Sequence, residues 1–140
     1  MILMDKKFLK KIIARSPQDL QVISACCEGG KIKIDEIKYL PKNKIFFFLI
    51  ERTSREKEKS DAIIKSVVKF EYIERSKSRN IDLRNTESYL ELVAINLFKN
   101  NENFEITLLF LNNAIITLTA EIVEAVLEDQ NIKNGKNNKI

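Results

Sequence analysis

Between Lys31 and Thr119 apolar residues recur at every second position in a series of short runs, and no link between the runs reaches a dozen residues. A period of two is the side-chain period of a β-strand. Parallel neighbours need a crossover of about a dozen residues or more, so links this short make the strands antiparallel. Lys31–Ile34 and Glu36–Leu40 read as strands, Pro41–Lys44 as a turn, and Ile45–Arg52 as a buried strand because it is apolar on both faces. Ile63–Arg79 reads as one long strand and Tyr89–Phe98 as another, with Tyr89, Val93, Ile95 and Leu97 on one face. Phe104–Phe110 and Ala114–Thr119 form a hairpin around Asn112-Asn113, since Asn tolerates the positive φ that such a turn requires. Glu51–Asp61 contains no apolar residue and reads as a solvated loop.

Helical signals flank this pattern. After a first strand over residues 7–14, Ser16-Pro17-Gln18-Asp19 combines a capping hydroxyl, a Pro at the first helical position and an acid at the positive dipole end. The spacing predicts a helix over Pro17–Cys27 with Leu20, Ile23 and Cys27 on its apolar stripe, ended by Gly29-Gly30. Ile122, Val123, Val126 and Leu127 recur at helical spacing, which predicts a second helix to about Gln130. The fold class is therefore α+β: an antiparallel sheet of about seven to eight strands, curled into a roll or half-barrel, with an N-terminal-region helix and a C-terminal helix. A pleckstrin-homology-like barrel capped by its last helix is one realisation. Residues 1–130 read as one domain and 131–140 as a flexible polar tail. A chain of 140 residues buries about two-thirds of its surface on folding, enough for a core without disulfides or metal.

The composition excludes more chemistry than it suggests. The chain has no His, which removes Ser-His-Asp and Cys-His nucleophiles and every His-ligated metal. Cys26 and Cys27 are vicinal, a geometry that strains a bridge, and they lie on the expected helix stripe, so they read as reduced core thiols. Glu121, Glu124 and Glu128 share one side of the expected second helix and read as a solvated face rather than a cation site. No cofactor and no metal is expected. The longest apolar run is Ile45–Ile50, too short to span a bilayer, and no secretory signal is evident at Met1–Met4, which points to the cytoplasm and away from membranes.

The formal charge of +4 is unevenly spread. Residues 100–132 hold six acids and no Lys or Arg, which leaves +10 for the rest of the chain. Lys6, Lys7, Lys10, Lys11 and Arg15 make one basic cluster, read as a solvated face. The stronger feature is Lys69, Glu71, Arg75, Lys77 and Arg79, all of one parity on the long strand, with Ser76 and Ser78 on the other. Same-face neighbours on a strand repeat about every 6.8 Å, near the phosphate spacing of a single-stranded nucleic acid. Cations also blunt a sheet edge against aggregation, and no exposed aromatic for base stacking is evident, so nucleic acid is not the favoured partner.

Five stretches, D-L-Q-V-I-S-A (19–25), Y-L-P-K-N-K-I-F (39–46), F-E-Y-I-E-R-S-K-S-R-N-I-D (70–82), L-E-L-V-A-I-N-L-F (90–98) and A-I-I-T-L-T-A-E-I-V-E-A-V-L-E-D (114–129), carry a resemblance. They are similar to a small bacterial family catalogued as domain of unknown function 2948. The family pattern has Gly at Asn80 and Gly-rich turns at Asn112-Asn113, substitutions that keep a left-handed backbone accessible. The resemblance implies the architecture and the cytoplasmic location and transfers no catalytic residue. Within the family-like stretch, Lys69, Arg75, Lys77, Ser78, Arg79 and Asp82 are the candidate anion- or partner-binding residues. The leading expectation is a non-enzymatic binding or adaptor domain acting through protein contacts. Anion or single-stranded nucleic-acid binding on Lys69–Arg79 is the alternative, and an enzyme using only carboxylates and Lys comes third.

Overall fold

The computed structural model describes residues 10–53 and 63–133. Its one α-helix, α1 (Pro17–Cys27), begins as the sequence predicts: the Ser16 hydroxyl accepts the Asp19 amide at 3.1 Å, Pro17 opens the first turn, and Leu20, Ile23 and Cys27 are buried. Gly29, at φ 84°, turns the chain out of the helix in a backbone that side chains resist. Before α1 lies β1 (Lys11–Ala14). After it come β2 (Lys31–Lys33), β3 (Ile37–Leu40), β4 (Ile45–Thr53), β5 (Ile63–Phe70), β6 (Ile73–Arg79), β7 (Tyr89–Asn100), β8 (Asn103–Phe110), β9 (Ile115–Ala120) and β10 (Ala125–Lys133).

The ten strands form one antiparallel sheet in the order β1-β10-β5-β4-β2-β7-β8-β9-β6, with β3 paired to β4 off this path. Among the described residues the order leaves β1 and β6 as the ends of the sheet, with β3 a further short edge beside β4, so the sheet is open. It also forces a curl. Six strand steps separate β5 from β6 along the sheet, about 29 Å if flat, yet only Glu71 and Tyr72 join them in the chain, a reach of about 11 Å. The corner turns at Tyr72, whose φ is 63°, and is held by the Ile73 amide on the Lys44 carbonyl (2.9 Å) and the Tyr39 hydroxyl on the Ile73 carbonyl (3.1 Å). The concave face holds the core, where Phe46, Phe48 and Phe70 meet with ring centroids 6.4–6.5 Å apart and α1 contributes its stripe. Within that face lies a buried polar cluster. Arg52 donates to both Asp129 oxygens (2.9 and 3.1 Å) and to the Ser66 hydroxyl (3.1 Å), which itself donates to Asp129 at 2.7 Å.

Three expectations are corrected. The described residues form ten strands rather than seven or eight. Part of the difference is the long strand expected over Ile63–Arg79, which is two strands broken by the left-handed Tyr72. The expected second helix is instead β10, so the helix-capped, pleckstrin-homology-like form is not adopted. Val123, Ala125, Leu127 and Asp129 point inward at a period of two, a pattern hidden in the sequence because one inward residue is a carboxylate. Tyr89 and Ile95 do not share a face either, because a bulge between Leu92 and Ala94 reverses the parity of β7. Of the loop expected over Glu51–Asp61, residues 51–53 instead extend β4, and of the tail expected over 131–140, residues 131–133 instead extend β10; the rest of both, with the cations Lys6 and Lys7, lies outside the described residues. Among the described residues no helix is long and apolar enough to cross a membrane.

Candidate functional site

The corner at Tyr72 divides the candidate residues. Lys69, on β5, pairs with Glu71 at 3.4 Å and lines a concavity of about 180 Å³ shared with Lys11, Arg15 and Glu124. Arg75, Lys77 and Arg79 lie beyond the corner on β6 and form a separate set. Asp82 follows β6 and accepts the Arg84 amide (3.1 Å) and Nε (3.2 Å), which makes it a loop-shaping residue. Ser78 sits opposite Ile116, whose side chain is buried, and so has the inward parity. The structure therefore brings together three of the six candidates on one face, with Ser78 beside them.

β6 positions those cations by its register on β9. Arg75 stands opposite Thr119, Lys77 opposite Thr117 and Arg79 opposite Ile115, and the next strand continues the rows with Glu105, Thr107 and Leu109. Lys77, Ser78 and Arg79 line, with Thr107, Ile115 and Thr117, a shallow concavity of about 340 Å³. Among the described residues no carboxylate lies within ion-pair distance of Arg75, Lys77 or Arg79. Some cations elsewhere are matched, as where Lys33 meets Glu87 at 3.0 Å and Lys44 meets Glu74 at 3.1 Å.

The whole exposed length of β6 is delimited. At its start the Ile73 amide and carbonyl are already engaged across the corner. At its end Asn80 adopts φ 62° and donates its side-chain amide to the Asn113 carbonyl at 2.8 Å, while Asn112 and Asn113 take φ 67° and 64° in the neighbouring turn. The left-handed backbone expected at these Asn is what forms. A family model described as Protein of unknown function (DUF2948) matches residues 10–139. The chain belongs to this family. The DUF2948 match takes in α1 and all ten strands, β6 and its turns included. Comparison with curated proteins and with solved structures gives no match.

Several features of the site were not legible beforehand. Thr107 and Thr117 join it only through the register of β8, β9 and β6, which no local pattern carries. Aromatics are exposed after all: Tyr89 at 53% and Phe98 at 56%. Phe98 lies in the row Phe98–Glu105–Thr119–Arg75, on the same outer face as the cations. The acids expected on one helix face are dispersed. Glu124 approaches Arg15 at 3.6 Å, and Glu121 joins Glu74 around Lys44. In that exposed trio, the hydrogen bond shared by the carboxyls holds Glu74 below the ordinary carboxylate range, with help from Lys44, and holds Glu121 above it. Among the described residues no group of three or more Cys, Asp or Glu is placed to hold a metal.

Proposed function

We propose that the chain is a cytoplasmic, non-enzymatic binding or adaptor module that works through protein contacts on the edge and outer face of β6. The observation that carries this reading is an exposed edge strand with three same-face cations, Arg75, Lys77 and Arg79, none of which has a carboxylate within ion-pair distance among the described residues, though Arg75 feels the charge of adjacent Glu74. Surface cations are ordinarily solvated or loosely paired, but a row of unmatched charge on an open edge is also what an acidic partner recognises. The concave side supports the same view, since among the described residues aromatic and aliphatic side chains pack it and its one charged cluster is internally paired.

A second reading, single-stranded nucleic acid, gains from the exposed Phe98 on the same outer face. Glu105 counts against it. That carboxylate stands between Phe98 and the cations along their row, in the path of a phosphate backbone. Carboxylate and Lys chemistry has its best grouping in Lys44, Glu74 and Glu121, which lies on open surface where water screens each charge.

The test is capture from native extract at low and moderate salt, with proteins and nucleic acids both identified, using the wild-type chain and an Arg75→Ala/Lys77→Ala/Arg79→Ala variant. A protein retained by the wild type and lost by the variant is the expected result. Capture of nucleic acid alone, or capture indifferent to the three substitutions, would reject the reading.

A further inference from the structure

We infer that the partner is an extended acidic segment that joins β6 as an additional antiparallel strand, with carboxylates at alternate positions opposite Arg75, Lys77 and Arg79; this rests on the binding reading of β6. Among the described residues β6 pairs with β9 on one side only. Alternate residues of an edge strand direct N–H and C=O groups outward, which is a template for another strand. The template has defined ends. The Ile73 polar groups are used at the corner, and Asn80 turns the chain away, so the open run is Glu74–Arg79. It accommodates a guest of about five or six residues, a span of roughly 17–20 Å.

The side chains specify the guest. A residue directly opposite on a paired strand sits about 4.5–5.5 Å away, so the outward positions of the guest meet Arg75, Lys77 and Arg79 and favour Asp or Glu. Its inward positions lie beside half-buried Ser76 and exposed Ser78, small side chains that leave room for small or apolar residues. Glu74 repels acid at the near end, which sets the register. A second copy of this chain is a poor occupant. Antiparallel self-pairing centred on Lys77 would put Lys77 opposite Lys77 and Arg75 opposite Arg79, and like charges directly opposite are destabilising. β6 thus discourages pairing with itself while matching an acidic strand, attraction and exclusion arising from the same three residues.

The probe is a capped ten-residue peptide alternating Glu and Val, titrated onto the full chain, beside the same peptide N-methylated along one edge. Binding of the first with new hydrogen-exchange protection in alternate amides of residues 74–79, and none of the second, is expected. The triple Ala variant should bind about tenfold more weakly, as three cross-strand ion pairs are lost. Lys77→Glu/Arg79→Glu, a variant that keeps long side chains, should prefer an alternating Lys and Val peptide. Equal binding of the N-methylated peptide, protection outside β6, or self-association of the chain through β6 would overturn strand addition. The outcomes separate from those of the capture experiment: a protein partner lost with the triple variant, together with an indifferent peptide, sinks the inference and leaves the binding module standing.

Discussion

Burial pushes the Cys27 thiol up to about 12; the nearby Arg52 guanidinium pulls in the opposite direction, and Cys26 and Asp129 reinforce the rise. A thiolate is the reactive form, so Cys27 should resist a thiol reagent at pH 8 in the native state while half-buried Cys26 reacts, and both should react at once in denaturant. Rapid native labelling of both would contradict the packing. The same shift fixes a sign with pH. The folded value lies above the ordinary 9.0, so the stability it confers is complete below pH 9 and declines as pH rises towards 12, which unfolding curves at pH 8 and 10.5 would detect. Asp129, at 6% exposure, is the residue least legible in the sequence. Removing one partner of a buried ion pair costs about 3–5 kcal/mol, so Asp129→Ala should lower the free energy of unfolding by that order in chemical denaturation. Arg52→Met/Ser66→Ala/Asp129→Leu, which removes the cluster together, should recover most of the loss. Cys27 was readable because its neighbours Leu20 and Ile23 mark an apolar stripe, whereas Asp129 buries a charge because Arg52, Ser66 and the Lys10 backbone amide, all far from it in the sequence, converge on its carboxylate.

Elements were legible where their ends are chemically marked. Ser16, Pro17 and Gly29 bracket α1, and Asn112 and Asn113 mark the turn between β8 and β9. Marks failed where a non-Gly, non-Asn residue breaks the chain. Tyr72 gives no sign that the run from Ile63 to Arg79 is two strands, and nothing local announces the bulge in β7. β10 was misread because Ile122, Val123, Val126 and Leu127 fit a helix as well as a strand until Asp129 is known to face inward. The junction of α1 with β4 carries its own prediction. A Cβ on Gly30 would sit 2.5 Å from the Ile50 Cδ1 and 3.0 Å from the Cys27 carbonyl oxygen. Gly30→Ala should cost about 1–3 kcal/mol by overpacking, and Ile50→Val, which deletes the nearest methyl, should restore part of it. Additive losses in the double variant would show that the close approach is not the cause.

At the scale of the molecule, the antiparallel α+β class, the helix near its start and the basic strand were visible in the sequence, whereas a second helix was expected where β10 forms. The grouping of six candidates was not visible there, since the corner that carries Lys69 away from Arg75, Lys77 and Arg79 is a tertiary event. Substituting those three exposed cations should leave stability within about 0.5 kcal/mol of wild type, because each is solvated and replaces no core contact; thermal unfolding of the triple Ala variant checks this. The strand order has a different consequence for a chain as it leaves the ribosome. β10 lies between β1 and β5 in the sheet, yet residues 71–124 are made between β5 and β10. Synthesis at about 5–20 residues per second leaves the β5 edge, with Ile64, Val68 and Phe70, without its partner for about 3–11 s. A nascent chain stalled before Ala125 should therefore recruit holding chaperones and enter the insoluble fraction, and release of the arrest should end both as β10 closes the gap; a stalled chain that stays soluble and protease-resistant would show that β5 is shielded by other means.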